Sequence, residues 1–304
     1  MKLKIGFILM FLSFVPFIAL AGARAKYTLK VVDQEGRPIE NAKVAANFTG
    51  SQAEVVEGRT NKKGLFTVSG NTASIFGAYV DKEGYYRSGS GVKKVLKYEG
   101  GLRWKPWNPT IEVVMKEKRN PIPMYMKGTF GYIEIPAVEE PIGFDLLKGD
   151  WVAPHGNGVV KDFILECRVR YDAVRDWESW YRLAFSNEKD GIQAYYPPED
   201  DQSEYKWPYL APETGYKPEI ERFKIYTPDG HHKTNYDDER KYIFRVRTEV
   251  DGKGNIISAK YGRMPGEIKF MPNKMIAFAY RLNPTGTRNL EDSGVNLFES
   301  NKIE

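Results

Sequence analysis

The spacing of chain breakers restricts the fold of this sequence more than any other feature. From Lys26 onward, short runs rich in Val, Ile, Thr, Tyr and Phe alternate with clusters of Gly, Pro, Asn and Asp, and no helical periodicity continues beyond three turns. Short strands bounded by turn residues predict an all-β fold. The length of 304 residues allows about two domains, and 41% hydrophobic with 28% charged residues is a core-forming composition rather than a disordered one.

Residues 1–25 read as a signal peptide. Lys2 and Lys4 precede an apolar run from Ile5 to Ala21, and Ala23-Arg24-Ala25 supplies a small-x-small cleavage site after Ala25. The alternative is a retained anchor, against which stand Pro16 and the small residues near the end of the run. No later stretch is apolar enough to span a membrane as a helix. Loss of Lys2, Lys4 and Arg24 lowers the formal charge from +5 to about +2, too little for the basic face of a nucleic-acid-binding protein. Export to the periplasm or beyond is expected.

Cys167 is the single cysteine, so no intramolecular disulfide is available in that oxidising setting. Phe163, Leu165, Cys167, Val169 and Tyr171 share one face at strand spacing, which predicts a buried thiol rather than a nucleophile.

The strand pattern predicts a seven-stranded antiparallel sandwich over 26–118, an extended linker at 119–126 and a larger antiparallel β-sandwich-like domain over 127–304. The seventh-strand count includes Val92–Tyr98. In the larger domain, Tyr242, Phe244, Val246, Thr248 and Val250 alternate with Ile243, Arg245, Arg247 and Glu249, predicting one apolar and one wet face. Asp251 to Asn255 reads as a hairpin turn.

Three segments of the first domain carry a resemblance. Asp33 to Val44 (DQEGRPIENAKV), Thr60 to Val68 (TNKKGLFTV) and Val80 to Tyr86 (VDKEGYY) are similar to the carboxypeptidase regulatory-like domain, a transthyretin-like or starch-binding-like β-sandwich. The resemblance covers about the first third of the mature chain. It implies a non-catalytic accessory module of exported bacterial proteins, from a fold group with carbohydrate-binding members. The quoted positions are turn formers: Gly36 with Pro38, Asn61 to Gly64, and Gly84. Residues 124–304 are similar only to uncharacterised bacterial envelope proteins.

Catalytic signatures are absent from the sequence: G-x-S-x-G, H-E-x-x-H, the P-loop and C-x-x-C do not occur. His231-His232 with Asp229, Asp237 and Asp238 forms a polar turn, since adjacent side chains in extended chain point apart and cannot share one metal. The acid pairs Asp200-Asp201 and Asp237-Asp238 leave a hydrolase only as a third reading, because sequence adjacency does not set the separation that hydrolysis needs. No cofactor is expected.

The most unusual segment is 195–216, with six aromatic residues, five acids and four prolines. Tyr195, Tyr196, Tyr205, Trp207 and Tyr209, joined by Trp177 and Trp180, form a candidate saccharide platform of flat rings beside carboxylates. The competing reading packs those rings against the sandwich, with the acids meeting the basic stretch of Arg87, Lys93, Lys94, Lys97, Arg103 and Lys105. The leading expectation is therefore an exported non-catalytic protein that binds a polysaccharide or an envelope partner. The alternative is a structural or protein-interaction component of the envelope without a saccharide site.

Overall fold

The computed structural model describes residues 22–49, 54–128 and 132–300. Of the leader expected over 1–25, residues 1–21 lie outside them. The described chain is almost wholly β and divides into two compact units: 1–117 with 200–205, and 118–199 with 206–304.

The first unit contains β1 (Ala23–Val32), β2 (Lys43–Thr49), β3 (Glu54–Arg59), β4 (Leu65–Thr72), β5 (Ser74–Asp81), β6 (Ser88–Gly89), the helical turn α1 (Val92–Val95) and β7 (Thr110–Val114). Sheets β4-β1-β7 and β3-β2-β5-β6 contribute to one core, containing Tyr27, Leu29, Val31, Val44, Phe48, Val68, Val80 and Val113. Pairing is antiparallel except for β1 with β7, which run parallel.

Local chemistry makes the turns. Asp33 Oδ1 accepts the backbone N–H of Glu35 at 3.0 Å and of Arg37 at 2.9 Å, while Asn61 Oδ1 does the same for Lys63 and Leu65. Gly64 follows with φ of +71°, and a Cβ there would meet the Val31 carbonyl oxygen at 2.3 Å. The expected strand over 92–98 begins instead as α1. Helical spacing turns Val92 and Leu96 onto one side, and both are buried in the core.

Residues 200–205 extend the β6 edge. Gly89 N–H donates to the Gln202 carbonyl at 2.8 Å, Glu204 N–H donates to that of Arg87 at 2.9 Å, and Lys116 Nζ meets Asp201 Oδ2 at 2.6 Å. The acid's partner is thus Lys116, whereas Arg87 pairs with Asp81.

Ala23, Arg24 and Ala25 belong to β1. They pair with Thr72, Asn71 and Gly70, Ala25 is fully buried, and the Arg24 backbone exchanges hydrogen bonds with Leu102 and Trp104. Cleavage after Ala25 would strip these rungs from the strand. Ala19-Leu20-Ala21 offers a second small-x-small site upstream that preserves them. N-terminal sequencing of the processed chain is expected to begin at Gly22, and a first residue of Lys26 would show that β1 assembles without its opening three residues.

The second unit contains β8 (Ile122–Gly128), β9 (Ile133–Glu134), β10 (Pro141–Asp145), β11 (Asp150–Trp151), β12 (Phe163–Ala173), β13 (Asp176–Ala184), β14 (Gly191–Tyr195), β15 (Glu219–Tyr226), β16 (His232–Thr234), β17 (Lys241–Val250), β18 (Ile256–Met264), β19 (Lys269–Phe270), β20 (Met275–Ala277), β21 (Ala279–Leu282), β22 (Asp292–Asn296) and the turn α2 (Leu297–Ser300). Two six-stranded sheets, β11-β10-β12-β13-β15-β16 and β14-β17-β18-β21-β8-β22, enclose a core with Phe144, Leu165, Tyr181, Ile192, Phe244 and Leu282. The small sheet β19-β20-β9 adds Phe270 and Ile276.

The segment expected as a linker at 119–126 is structural. Arg119 and Asn120 donate their N–H groups to the Glu291 carboxylate, Met124 is fully buried and β8 pairs with both β21 and β22. Pro121 lies just before the strand, and Pro123 lies outside the antiparallel register that starts at Tyr125. The wet face expected for β17 is also covered. Arg245 donates to the carbonyls of Lys189 and Glu213 and lies 4.6 Å from the Tyr216 ring centre, so its charge is enclosed by the 189–216 region.

Candidate functional site

The seven candidate rings are divided between the units, Tyr205 in the first and the other six in the second. Trp207 is only 6% exposed, stacked with Tyr195 at 5.6 Å and covered by the Arg263 guanidinium at 4.8 Å. Tyr205 belongs to the first unit, where it is buried and stacked on Tyr86 at 4.6 Å. Trp177 is buried against Tyr226 at 4.7 Å. Tyr209 is half-buried under Arg119 at 3.9 Å, and its stretch of chain is stitched to 288–290 by backbone hydrogen bonds. Tyr196 is exposed, but its hydroxyl donates to Asp237 at 2.9 Å and accepts from Arg240 Nε at 3.0 Å. Trp207, covered by Tyr195 and Arg263, has no open face to offer a sugar.

Trp180 is different, because strand parity points it outward. Leu165, Cys167, Tyr181 and Leu183 fill the core side of β12 and β13, leaving alternate residues on the opposite face. Cross-strand register then aligns Arg168, Trp180 and Phe223 in one row and Arg170, Glu178 and Ile225 in the next. Lys233 lies opposite Ile225 on β16. These residues line a shallow groove of about 500 Å³. Arg168 lies 4.6 Å from the Trp180 ring centre and Lys233 lies 5.8 Å from that of Phe223. Glu166 accepts from Arg168 at 2.5 Å and from Arg182 at 2.9 Å, and these guanidiniums hold its carboxyl below the usual carboxylate range despite the opposing cost of burial. The face thus combines two flat apolar rings with fixed charges.

The buried charges of the second unit are engaged internally. Glu267 Oε1 receives Arg240 at 2.6 Å, Oε2 receives the Tyr242 hydroxyl at 2.6 Å, and Arg222 Nε bridges both oxygens at 3.2 Å. A second cluster brings Asp145 and Asp162 to Arg247, each ion pair being 2.8 Å. Burial raises the Asp145 carboxyl, but the N–H groups of Val160, Val159 and Lys148 together with Arg247 bring it below its ordinary value. Each of these carboxylates is engaged by arginine, tyrosine or backbone donors. Cys167 is fully buried, and burial pushes its thiol up to about 12, away from thiolate chemistry. His231 pairs with Asp229 at 2.7 Å, whereas His232 stacks on Tyr226 at 4.4 Å, so the adjacent imidazoles have separate partners.

No protein-family model and no curated protein matches the chain. Among solved structures, a point mutant of the shaft pilin SpaA from Lactobacillus rhamnosus GG is similar at 11% identity, covering 79% of this chain and 93% of that chain with a TM-score of 0.21.

Proposed function

We propose that this chain is an exported, non-catalytic interaction component of the bacterial envelope, with the outer face around Trp180 as its contact surface. One observation carries the reading: the Trp207 and Tyr205 rings expected to stack on a ligand are packed within their own units, whereas Trp180 and Phe223 remain on an open sheet face flanked by Arg168, Arg170 and Lys233. Aromatic and arginine side chains together suit a protein contact, where a flat apolar surface anchors and charged neighbours set register. The same row supports a second reading as a short saccharide platform, because neighbouring strands space their side chains about 5 Å apart.

A photoreactive phenylalanine analogue at position 180 is the test, used in cells beside affinity electrophoresis of the purified chain through soluble polysaccharides. The expected outcome is a discrete protein adduct at that position and no retardation by the polysaccharides. Retardation abolished by Trp180→Ala would replace the protein-contact reading with the saccharide one. Absence of an adduct would remove the contact surface from this face.

A further inference from the structure

The geometry points to a lipid-docking hairpin in the first unit, which binds the surface of an anionic bilayer. Its stem is the bridge between Lys97 and Lys105, whose backbones exchange hydrogen bonds of 2.8 and 3.0 Å. Trp104 anchors the loop: its indole N–H donates to the Thr72 carbonyl at 3.1 Å, and its ring packs with Tyr98 at 5.5 Å. Gly100 and Gly101 both have φ of +88°, and the chain then presents Leu102 to solvent. Leu102 is 88% exposed, more than any other large apolar side chain among the described residues. The exposed Trp107 lies beneath Arg103, with the guanidinium 4.7 Å from its ring centre.

Charge selects the occupant. Lys97, Arg103 and Lys105 are all exposed, and residues 97–105 contain one acid, Glu99, paired with Lys105 at 3.3 Å. An apolar tip with aromatic shoulders and surrounding cations fits the boundary between acyl chains and anionic headgroups, where Leu inserts, Trp sits at headgroup level and Lys or Arg meets phosphate. A soluble polyanion would use the cations but leave Leu102 in water. The Arg24 backbone holds both Leu102 and Trp104, so the hairpin is tied to β1 before it meets lipid. This deepens the envelope reading by naming what the protein rests against.

The test is flotation of the full mature chain with phosphatidylcholine vesicles, with and without phosphatidylglycerol as about a third of the lipid. Binding is expected only with phosphatidylglycerol and is expected to fall as salt rises. Leu102→Ser should weaken it about tenfold, and the double change Lys97→Glu, Arg103→Glu should abolish it. Unchanged melting temperatures would show that these exposed substitutions leave the fold intact. No association with anionic vesicles would overturn the proposal. Equal binding by wild type and Leu102→Ser would also overturn it, showing attraction to the headgroups by charge alone with no insertion of the tip. Failure here leaves the cross-linking at position 180 unaffected, and failure of that cross-link leaves vesicle binding unaffected.

Discussion

Replacing Arg247 with alanine is expected to destabilise the second unit by about 3–5 kcal/mol, the range for removing one partner of a buried ion pair. Its guanidinium is the shared counter-charge for Asp145 and Asp162, whose side chains are almost wholly buried. Its backbone N–H also donates to Asp190 Oδ2 at 2.9 Å, while Thr248 N–H donates to Oδ1. Without the guanidinium, two carboxylates remain in a poorly solvated site with only backbone donors. Chemical denaturation of wild type, Arg247→Ala and the triple variant Asp145→Asn, Asp162→Asn, Arg247→Ala would measure the effect, and removing both acids should recover part of the loss. A change of about 0.5 kcal/mol, typical of a surface substitution, would contradict a buried ionic clasp.

The clasp also sets a pH dependence. Asp145 is held below its usual value, so its contribution to stability is present above the unfolded carboxylate value and is lost as pH falls through the folded one. Asp190 has the opposite sign: burial raises its carboxyl, so its contribution is present at low pH and is lost as pH rises through that raised value. Between about pH 3 and pH 6, Asp145→Asn should therefore remove a loss of stability on the acid side and Asp190→Asn a loss on the alkaline side.

Trp207→Ala is expected to cost about 3–5 kcal/mol, the usual range for truncating a buried aromatic side chain. The loss removes contacts with Tyr195 and Arg263 and leaves a cavity where the indole is buried. Trp180→Ala should cost about 1 kcal/mol or less, chiefly its exposed contact with Arg168. Parallel thermal and denaturant unfolding would separate the two roles. A Trp207→Ala protein as stable as wild type would restore that ring as a candidate ligand contact.

The contrast between these tryptophans explains how much of the site was legible before folding. Composition identifies 195–216 as aromatic and acidic, but both a solvent platform and a packed loop satisfy that composition. The distinction depends on Arg263 and Tyr195 reaching Trp207, and on Tyr86 reaching Tyr205 across a long sequence separation. Trp180 was named among the candidates, but its place beside Phe223 required the β13–β15 register. The Leu102 hairpin was legible only as a basic stretch near two tryptophans. Its anchoring by Thr72 and Arg24 comes from β4 and β1.

Local sequence determined the features whose physics closes within a few residues. Asp33, Asn61 and Asp251 satisfy nearby backbone N–H groups and make their turns in any compatible surroundings. The two-residue period of β12 likewise assigns Leu165 and Cys167 to one face, and their burial follows when that face meets the opposing sheet. Tertiary structure decided what depended on distant chain: the incorporation of 122–128 into a sheet, the enclosure of Arg245, and the burial of Trp207 while Trp180 stays half-buried on the outer face of β13. A side chain's local periodicity gives its direction, but water exclusion requires the opposing surface that only the completed fold supplies.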